Sequence, residues 1–437
     1  MKIAGYNLGC KVNKYELDAV LEQFEENGYE VVGFSEAADV YIINTCAVTQ
    51  LAEKKSRQMI HRAKAQNPNA IFVASGCYAQ KEGASIADVD IIVGTSNKGT
   101  IFNNVEKYIK NREKIVKIED IKEVKSYDSM KISSTQERTR AYVKIQDGCK
   151  NYCSYCIIPY LRGRVRSRNI NEVLDEIKVL ANKGYKEIVL AGIEVASYGE
   201  DLGDIRLINV LEAANKIDGL ERIRLSSMYP TVVNDDFVGR IKKLKNVCNH
   251  LHLSLQSGCD STLKRMNRRY TTENFRKTMK ILKQNIPDIA VTTDIIVGFP
   301  GETDQEFEAT YSFVQEMGFN KIHVFKYSKR TGTKAENLES QVDEQIKNER
   351  SYNLIKLGKE MEKRYLEQYI GRDLDVLFEG RIKGKEDTYV GHSMNYLKVV
   401  VESDVELTNE IGLVRIESVN SGICVGKDYG ERMIGGR

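Results

Sequence analysis

Cys149, Cys153 and Cys156 stand at C-x3-C-x2-C spacing in VKIQDGCKNYCSYCIIPYLRGRVRSR, the stretch from Val143 to Arg168. A structural zinc site needs four closed ligands, and no histidine or fourth cysteine stands nearby at finger spacing. Three thiolates on one loop suit a cubane [4Fe-4S] cluster with one iron left open. The amino and carboxylate groups of S-adenosylmethionine (SAM) can chelate such an iron. An electron from the cluster then cleaves the sulfonium to a 5′-deoxyadenosyl radical. Val143 and Ile145 predict a short strand ended by Asp147-Gly148, so the cysteines fall on the following loop.

Three more cysteines, Cys10, Cys46 and Cys77, are far apart in sequence but occupy equivalent places. The apolar runs Lys2–Tyr6, Val40–Ile43 and Ala70–Ala74 each lead into a small-residue loop that carries one of them. Between the first two runs, Leu17, Val20, Leu21 and Phe24 predict a helix over Lys14–Asn27, stopped at Gly28. Strand and helix thus alternate, as in an open parallel α/β sheet. Neighbouring parallel strands lie about 4.8 Å apart, so loops at their carboxyl ends gather on one edge, where such sheets bind ligands. Three cysteines there can hold a second cluster. The alternative is three buried thiols acting as small hydrophobes, and the repeated strand-then-cysteine placement favours the cluster.

The remaining elements serve to position these loops. At 437 residues the chain predicts two or three domains. Apolar content of 41% and charged content of 29% are ordinary for a soluble protein. No run of apolar residues reaches membrane-spanning length, and the opening MKIAGYNLGCKVN is too polar for a signal peptide, so the expected location is cytoplasmic, without membrane partners. Nine cysteines, an odd count, argue against a secreted disulfide framework, and Cys248, Cys259 and Cys424 are taken as structural. Boundaries are expected at 1–112 for the first domain, 113–138 for a polar linker, 139–368 for a second βα series and 370–433 for a terminal module. In the second series Ala141–Gln146, Lys186–Leu190, Arg222–Leu225, His250–Leu255, Ala290–Val297 and Lys321–Tyr327 give six strands, a partial (β/α)6 barrel. Chemistry in such barrels collects on loops at the strand carboxyl ends. Glu194 can present a carboxylate to an ammonium, Ser254 and Gln256 share one strand face and can reach a ribose, and Gly298 offers a backbone to an adenine. Past a charged helical connector from the 350s to Tyr369, short alternating strands predict a small antiparallel β-barrel. This module is more acidic than basic, which leaves Tyr389, Tyr396 and Arg381 as its expected exposed contacts.

Net charge is only +3, so any nucleic-acid contact must come from local patches. Two stand out: Arg162, Arg164, Arg166 and Arg168 after the cysteine loop, and Lys264, Arg265, Arg268 and Arg269 after the Gln256 strand. Beside a reactive mouth they predict phosphate contacts, with solvated surface charge or pairing to Asp175 or Glu176 as the alternative.

Taken together, LGCKVNKYE, INTCAVT, SGCYAQ, QDGCKNYCSYCIIP with RGRVRSR, LSLQSGCDSTLKRMNR and TDIIVGFPGET resemble the radical-SAM methylthiotransferases over nearly the whole chain. The resemblance implies an N-terminal methylthiotransferase domain, a radical-SAM core and a C-terminal OB-like TRAM domain. GCKVN, DGCKNYCSYCIIP and GIEVASYG most resemble the members that act on N6-threonylcarbamoyladenosine at tRNA position 37; others modify isopentenyladenosine or a ribosomal-protein aspartate. By this likeness Cys10, Cys46 and Cys77 hold an auxiliary [4Fe-4S] cluster, and Cys149, Cys153 and Cys156 the SAM cluster. Tyr155, Glu194, Ser254, Gln256 and Gly298 then face SAM, with Ile193 departing from the GGE form and Glu302 one position late in its motif. The implied partners are a tRNA anticodon stem-loop, a flavodoxin- or ferredoxin-like reductant and a sulfur donor.

Overall fold

A computed structural model describes residues 1–135 and 139–432. Gln136, Glu137 and Arg138 of the expected linker, and Met433 at the expected end of the last module, lie outside the described residues.

The first domain is a six-stranded, wholly parallel sheet. Its strands are β1 (Lys2–Asn7), β2 (Glu30–Val32), β3 (Val40–Thr45), β4 (Ile71–Gly76), β5 (Ile91–Val93) and β6 (Ile115–Lys117), in spatial order β2-β1-β3-β4-β5-β6. The cysteine-bearing strands β1, β3 and β4 are therefore immediate neighbours. Burial on both faces explains the continuous apolar runs: every residue of β3 and β4 is buried. The expected linker loses its first residues to β6, which pairs with β5 from Ile91↔Ile115 to Val93↔Lys117. A strand of only three residues is too short to give a periodicity to read. Beyond it the chain is irregular but anchored, with Ile121, Met130 and Ile132 buried.

Helix α1 (Lys11–Glu26) starts directly after Cys10, three residues earlier than its periodicity suggests. It buries Tyr15, Leu17, Val20, Leu21 and Phe24, and it touches both its own sheet and the first strand of the next domain. One apolar core therefore runs through both domains.

The second domain contains the six expected parallel strands: β7 (Arg140–Lys144), β10 (Glu187–Ala191), β11 (Arg222–Leu225), β12 (His250–His252), β13 (Ala290–Val297) and β14 (Lys321–Lys326). They form two three-stranded sheets, β11-β10-β7 and β12-β13-β14, joined by the parallel bridges Ile223↔Val247 and Met228↔Leu253. The short strands β8 (Gln146–Asp147) and β9 (Arg166–Ser167) pair antiparallel and clamp the neck of the cysteine loop.

The helix Glu344–Glu367 leads to the third domain, a closed barrel of β15 (Asp373–Arg381), β16 (Thr388–Ser393), β17 (Lys398–Glu402), β18 (Ile411–Asn420) and β19 (Ile423–Arg432). The barrel departs from the expected antiparallel form at β17 and β19, which run parallel. It is tied to the second domain by arginines: Arg222 donates to the carbonyls of His392 at 2.7 Å and Asp375 at 2.8 Å, and Arg140 pairs with Glu379 at 2.7 Å.

Candidate iron–sulfur and substrate site

The cysteine loop leaves its strand through Gly148, at φ +75°, where a Cβ would lie 1.8 Å from the Arg164 carbonyl oxygen. No other residue fits, and this close approach lets the Cys149 amide donate to the Gly163 carbonyl at 3.0 Å. The loop is thus a closed ring that presents Cys149, Cys153 and Cys156. On the opposite wall, Gly9 (φ +100°) packs against Cys46, and a Cβ there would meet the Cys46 Sγ at 2.9 Å. Cys77 is the first residue of the helix Cys77–Glu82, and Cys46 and Cys77 are buried. Cys10, Cys46 and Cys77 lie within electrostatic reach of one another: Cys46 feels both of the others, and Cys10 feels Cys77.

The donor chemistry fits clusters. Burial pushes the Cys46 thiol up to about 12, with Cys77 adding to it, and pushes Cys149 to about 12 and Cys156 to about 11. Such thiols keep their protons until a metal replaces them. Among the described residues no three His, Cys, Asp or Glu side chains are gathered tightly enough to hold a single ion. In a cubane each thiolate binds a different iron, so the sulfurs stand farther apart than around one zinc.

The two cysteine sets are bridged by a buried ion cluster. Glu16 on α1 pairs with Lys144 at 2.7 Å, with Arg162 at 3.0 Å, and also with Lys98. Asp147 pairs with Lys144 at 2.6 Å and Arg162 at 3.0 Å, and Arg162 donates to the Asn13 side-chain oxygen at 2.7 Å. Burial works against the carboxylates, but Arg162 and Lys144 hold both well below the usual range. With Arg166 also 3.8 Å from Asp147, cations outnumber the two carboxylates, and Arg162 carries this positive charge to Cys10 and Cys46, which suits thiolate-bound iron.

This cluster corrects the reading of the arginine run. Arg162, Arg166 and Arg168 are buried, at 0%, 2% and 0% exposure, and a phosphate cannot reach them. Arg166 donates to the carbonyls of Arg162 at 2.7 Å and Arg164 at 3.1 Å, while Arg168 pairs with Glu176. Arg164 alone of the four is exposed, a division that strand alternation does not produce, since all four stand at even spacing. In the second run, Lys264 and Arg269 are exposed and Arg265 pairs with Glu306 at 2.9 Å. Arg268 turns inward, stacked between Tyr229 and Tyr270 at 4.3 and 4.9 Å, and its guanidinium donates to the Cys153 sulfur at 3.4 Å. It belongs to the cysteine site and is not a surface contact. In the third domain Tyr389 is buried, contrary to expectation, and Tyr396 is stacked between His250 and His392.

Glu194 is half-buried beside Cys149, its Oε1 accepting from the Tyr229 amide at 2.9 Å and the Ala196 amide at 3.3 Å. Burial lifts its carboxyl to about 7. Tyr155 packs edge-on to Phe299. Ser254 is half-buried, its carbonyl accepting from the Tyr270 hydroxyl at 2.8 Å, and Gln256 sits at φ +71° in a bridge to Ile295. The adenine role of Gly298 finds no support here: its amide donates to Glu302 at 2.6 Å, and the space a Cβ would need holds Lys347. Sequence reasoning missed Gln146, fully buried, whose side chain donates to the Gly148 carbonyl at 2.6 Å and accepts from the Glu194 amide at 2.9 Å. A single glutamine at a strand end carries no signal before the fold brings Glu194 to it. A cavity of about 420 Å³ is walled in part by Lys11, His250, His252, His323 and Tyr396.

The family model described as "Radical SAM superfamily" matches residues 143–314, and "Uncharacterized protein family UPF0004" matches residues 2–94. Threonylcarbamoyladenosine tRNA methylthiotransferase MtaB of Bacillus subtilis is 43% identical over 95% of this chain and 93% of its own. The chain belongs to the radical-SAM methylthiotransferase family. Another member, the tRNA-2-methylthio-N(6)-dimethylallyladenosine synthase of Acetivibrio thermocellus, is 34% identical over 94% of this chain and 88% of its own. Among solved structures, the radical S-adenosylmethionine methyltransferase TsrM from Kitasatospora setae, with cobalamin and a [4Fe-4S] cluster bound, superposes with a TM-score of 0.57. It shares 15% identity over 77% of this chain and 76% of that one, a likeness of fold alone. A radical-SAM enzyme of this family uses SAM and a [4Fe-4S] cluster, and the Cys149, Cys153 and Cys156 loop lies inside the matched region. No helix among the described residues is long and apolar enough to cross a membrane.

Proposed function

We propose that this chain is the radical-SAM enzyme that methylthiolates C2 of N6-threonylcarbamoyladenosine at position 37 of tRNA, giving 2-methylthio-N6-threonylcarbamoyladenosine. The observation that carries the reading is the meeting of two cysteine triads at one domain junction, together with the 43% identity to a protein named for that reaction. Adenine C2 bears an unactivated C–H that no side-chain base can deprotonate, so a radical route is required.

The loop cysteines hold the cluster that, when bound, supplies the electron for reductive cleavage of SAM. Glu194 offers the carboxylate for the SAM ammonium, with Gln146 and the Tyr229 amide fixing its orientation. Arg268 lies against the Cys153 sulfur and donates to it at 3.4 Å. Cys10, Cys46 and Cys77 would hold an auxiliary cluster, which would supply the sulfur-transfer chemistry, and the Glu16–Arg162–Asp147 ion cluster ties the two domains that carry the triads. Ser254 and Gln256 are the residues that would reach the SAM ribose. The reaction further needs a flavodoxin- or ferredoxin-like reductant and a sulfur donor, and it takes place in the cytoplasm.

Nucleoside mass spectrometry of tRNA from cells with and without the gene tests the substrate. The 2-methylthio form of N6-threonylcarbamoyladenosine should disappear on deletion while the unthiolated nucleoside accumulates. Loss of 2-methylthio-isopentenyladenosine instead would assign the chain to the chemistry named for the Acetivibrio relative.

The exposed Arg164, Lys264 and Arg269 are the residues left to meet the anticodon stem-loop backbone. Arg164→Glu should weaken tRNA binding and reduce the log–log salt slope by about 0.7–0.9, the share of one phosphate contact. The melting temperature should stay unchanged, because among the described residues the Arg164 guanidinium is held only by the Lys122 carbonyl at 3.2 Å. An unaltered slope would remove Arg164 from the RNA interface. The same change at buried Arg166 should instead destabilise the fold.

A further inference from the structure

Near the two cysteine sets, Arg162, Arg166, Arg168 and Arg268 all spend their guanidinium groups on protein partners. Arg330 does not. Its guanidinium makes no hydrogen bond or ion pair among the described residues, and its Nε is buried without a partner. The charges it feels most, beyond its own desolvation, are those of Cys156 and Cys46, one from each triad. Its place is fixed by the backbone around it. Ala335 donates to the Ser154 carbonyl at 2.8 Å, inside the cysteine loop, and Gly332 packs against Ile157, where a Cβ would come within 3.3 Å of that side chain. Ile157 in turn packs in one apolar cluster with Ala47 and Cys77 of the first domain. The segment therefore lies at the junction of both cysteine sets. The nearest carboxylate that Arg330 feels is Glu53, which is already paired with Lys81 at 2.8 Å. A second polar group is idle at the same place: the Tyr327 hydroxyl, in a side chain 5% exposed, also lacks a partner.

A cation and a hydroxyl left unpartnered at half-buried positions are costly unless a ligand completes them. We infer that Arg330, with the Tyr327 hydroxyl beside it, forms an oxyanion subsite that grips the target nucleotide of the RNA between the two cysteine triads. The inference rests on the tRNA reading above. Two groups on that nucleotide carry the required chemistry: the backbone phosphate and the carboxylate of the threonylcarbamoyl substituent. Either would meet a guanidinium fork in two parallel hydrogen bonds.

The test measures binding of a fluorescent anticodon stem-loop, with position 37 as adenosine or as N6-threonylcarbamoyladenosine, to the cluster-reconstituted protein. Arg330→Gln should weaken binding by about tenfold or more, the value of a charge-assisted contact, and Arg330→Lys should recover part of it. An equal loss on both RNAs identifies the phosphate; a loss confined to the modified RNA identifies the carboxylate. Iron content and melting temperature should not move, since Arg330 holds nothing in the free protein. Wild-type affinity of Arg330→Gln for both RNAs overturns the subsite, as does a loss of SAM affinity in place of RNA affinity. A wild-type protein that binds neither stem-loop would overturn the tRNA reading and the subsite with it.

Discussion

Alanine at Cys149, Cys153 or Cys156 is expected to abolish formation of 5′-deoxyadenosine from SAM, to below detection for each single variant. The loop supplies three thiolates and has no spare: the described residues show Arg268, Gln146 and Glu194 around it, none of which replaces a sulfur ligand to iron. Alanine at Cys10, Cys46 and Cys77 together should behave differently. Those cysteines follow strands β1, β3 and β4 of another domain, so SAM cleavage should persist while bound iron falls by about half and methylthio product vanishes. Iron assay, SAM cleavage and product analysis on the same preparations separate the two sites. Cleavage surviving in any loop variant would break the SAM-site assignment, and unchanged iron in the triple variant would remove the auxiliary cluster.

Replacement of Arg162 by Met should be among the most destabilising single changes in the chain, costing about 3–5 kcal/mol, the usual range for breaking a buried ion cluster from one side. Its guanidinium, fully buried, is shared by Glu16, Asp147 and Asn13, so its loss leaves carboxylate oxygens and an amide oxygen short of donors inside protein. Arg162→Lys keeps the charge but not the fork, and should recover only part of the loss. Arg164→Ala, two residues away and exposed, should stay within about 0.5 kcal/mol of wild type. Denaturant midpoints of the three variants decide the matter. Equal midpoints for Arg162→Met and wild type would mean that the ion cluster contributes nothing to joining the domains.

The sequence by itself determined the chemistry and much of the frame. Three thiols at fixed local spacing specify a ligand set wherever the loop lies, because ring closure within eight residues is a local property. The strand-then-cysteine repeat was equally legible, since parallel strands buried on both faces must read as apolar runs and must end on one edge. Period-two alternation likewise announced the terminal barrel, though not that β17 and β19 run parallel. Only the tertiary structure decided which charges face inward. Arg162, Arg164, Arg166 and Arg168 are the same residue type at even spacing, and nothing local separates them. Their division into three buried and one exposed follows from where Glu16, Asp147 and Glu176 arrive, Glu16 from a helix distant in sequence and Glu176 from the helix that follows the run. Burying a guanidinium is favourable only when such partners are present, and a partner from another element leaves no trace at the arginine itself. Gln146 beside Glu194, Arg268 against Cys153 and the unpartnered Arg330 have the same origin: each role is a distance between elements, which packing alone determines.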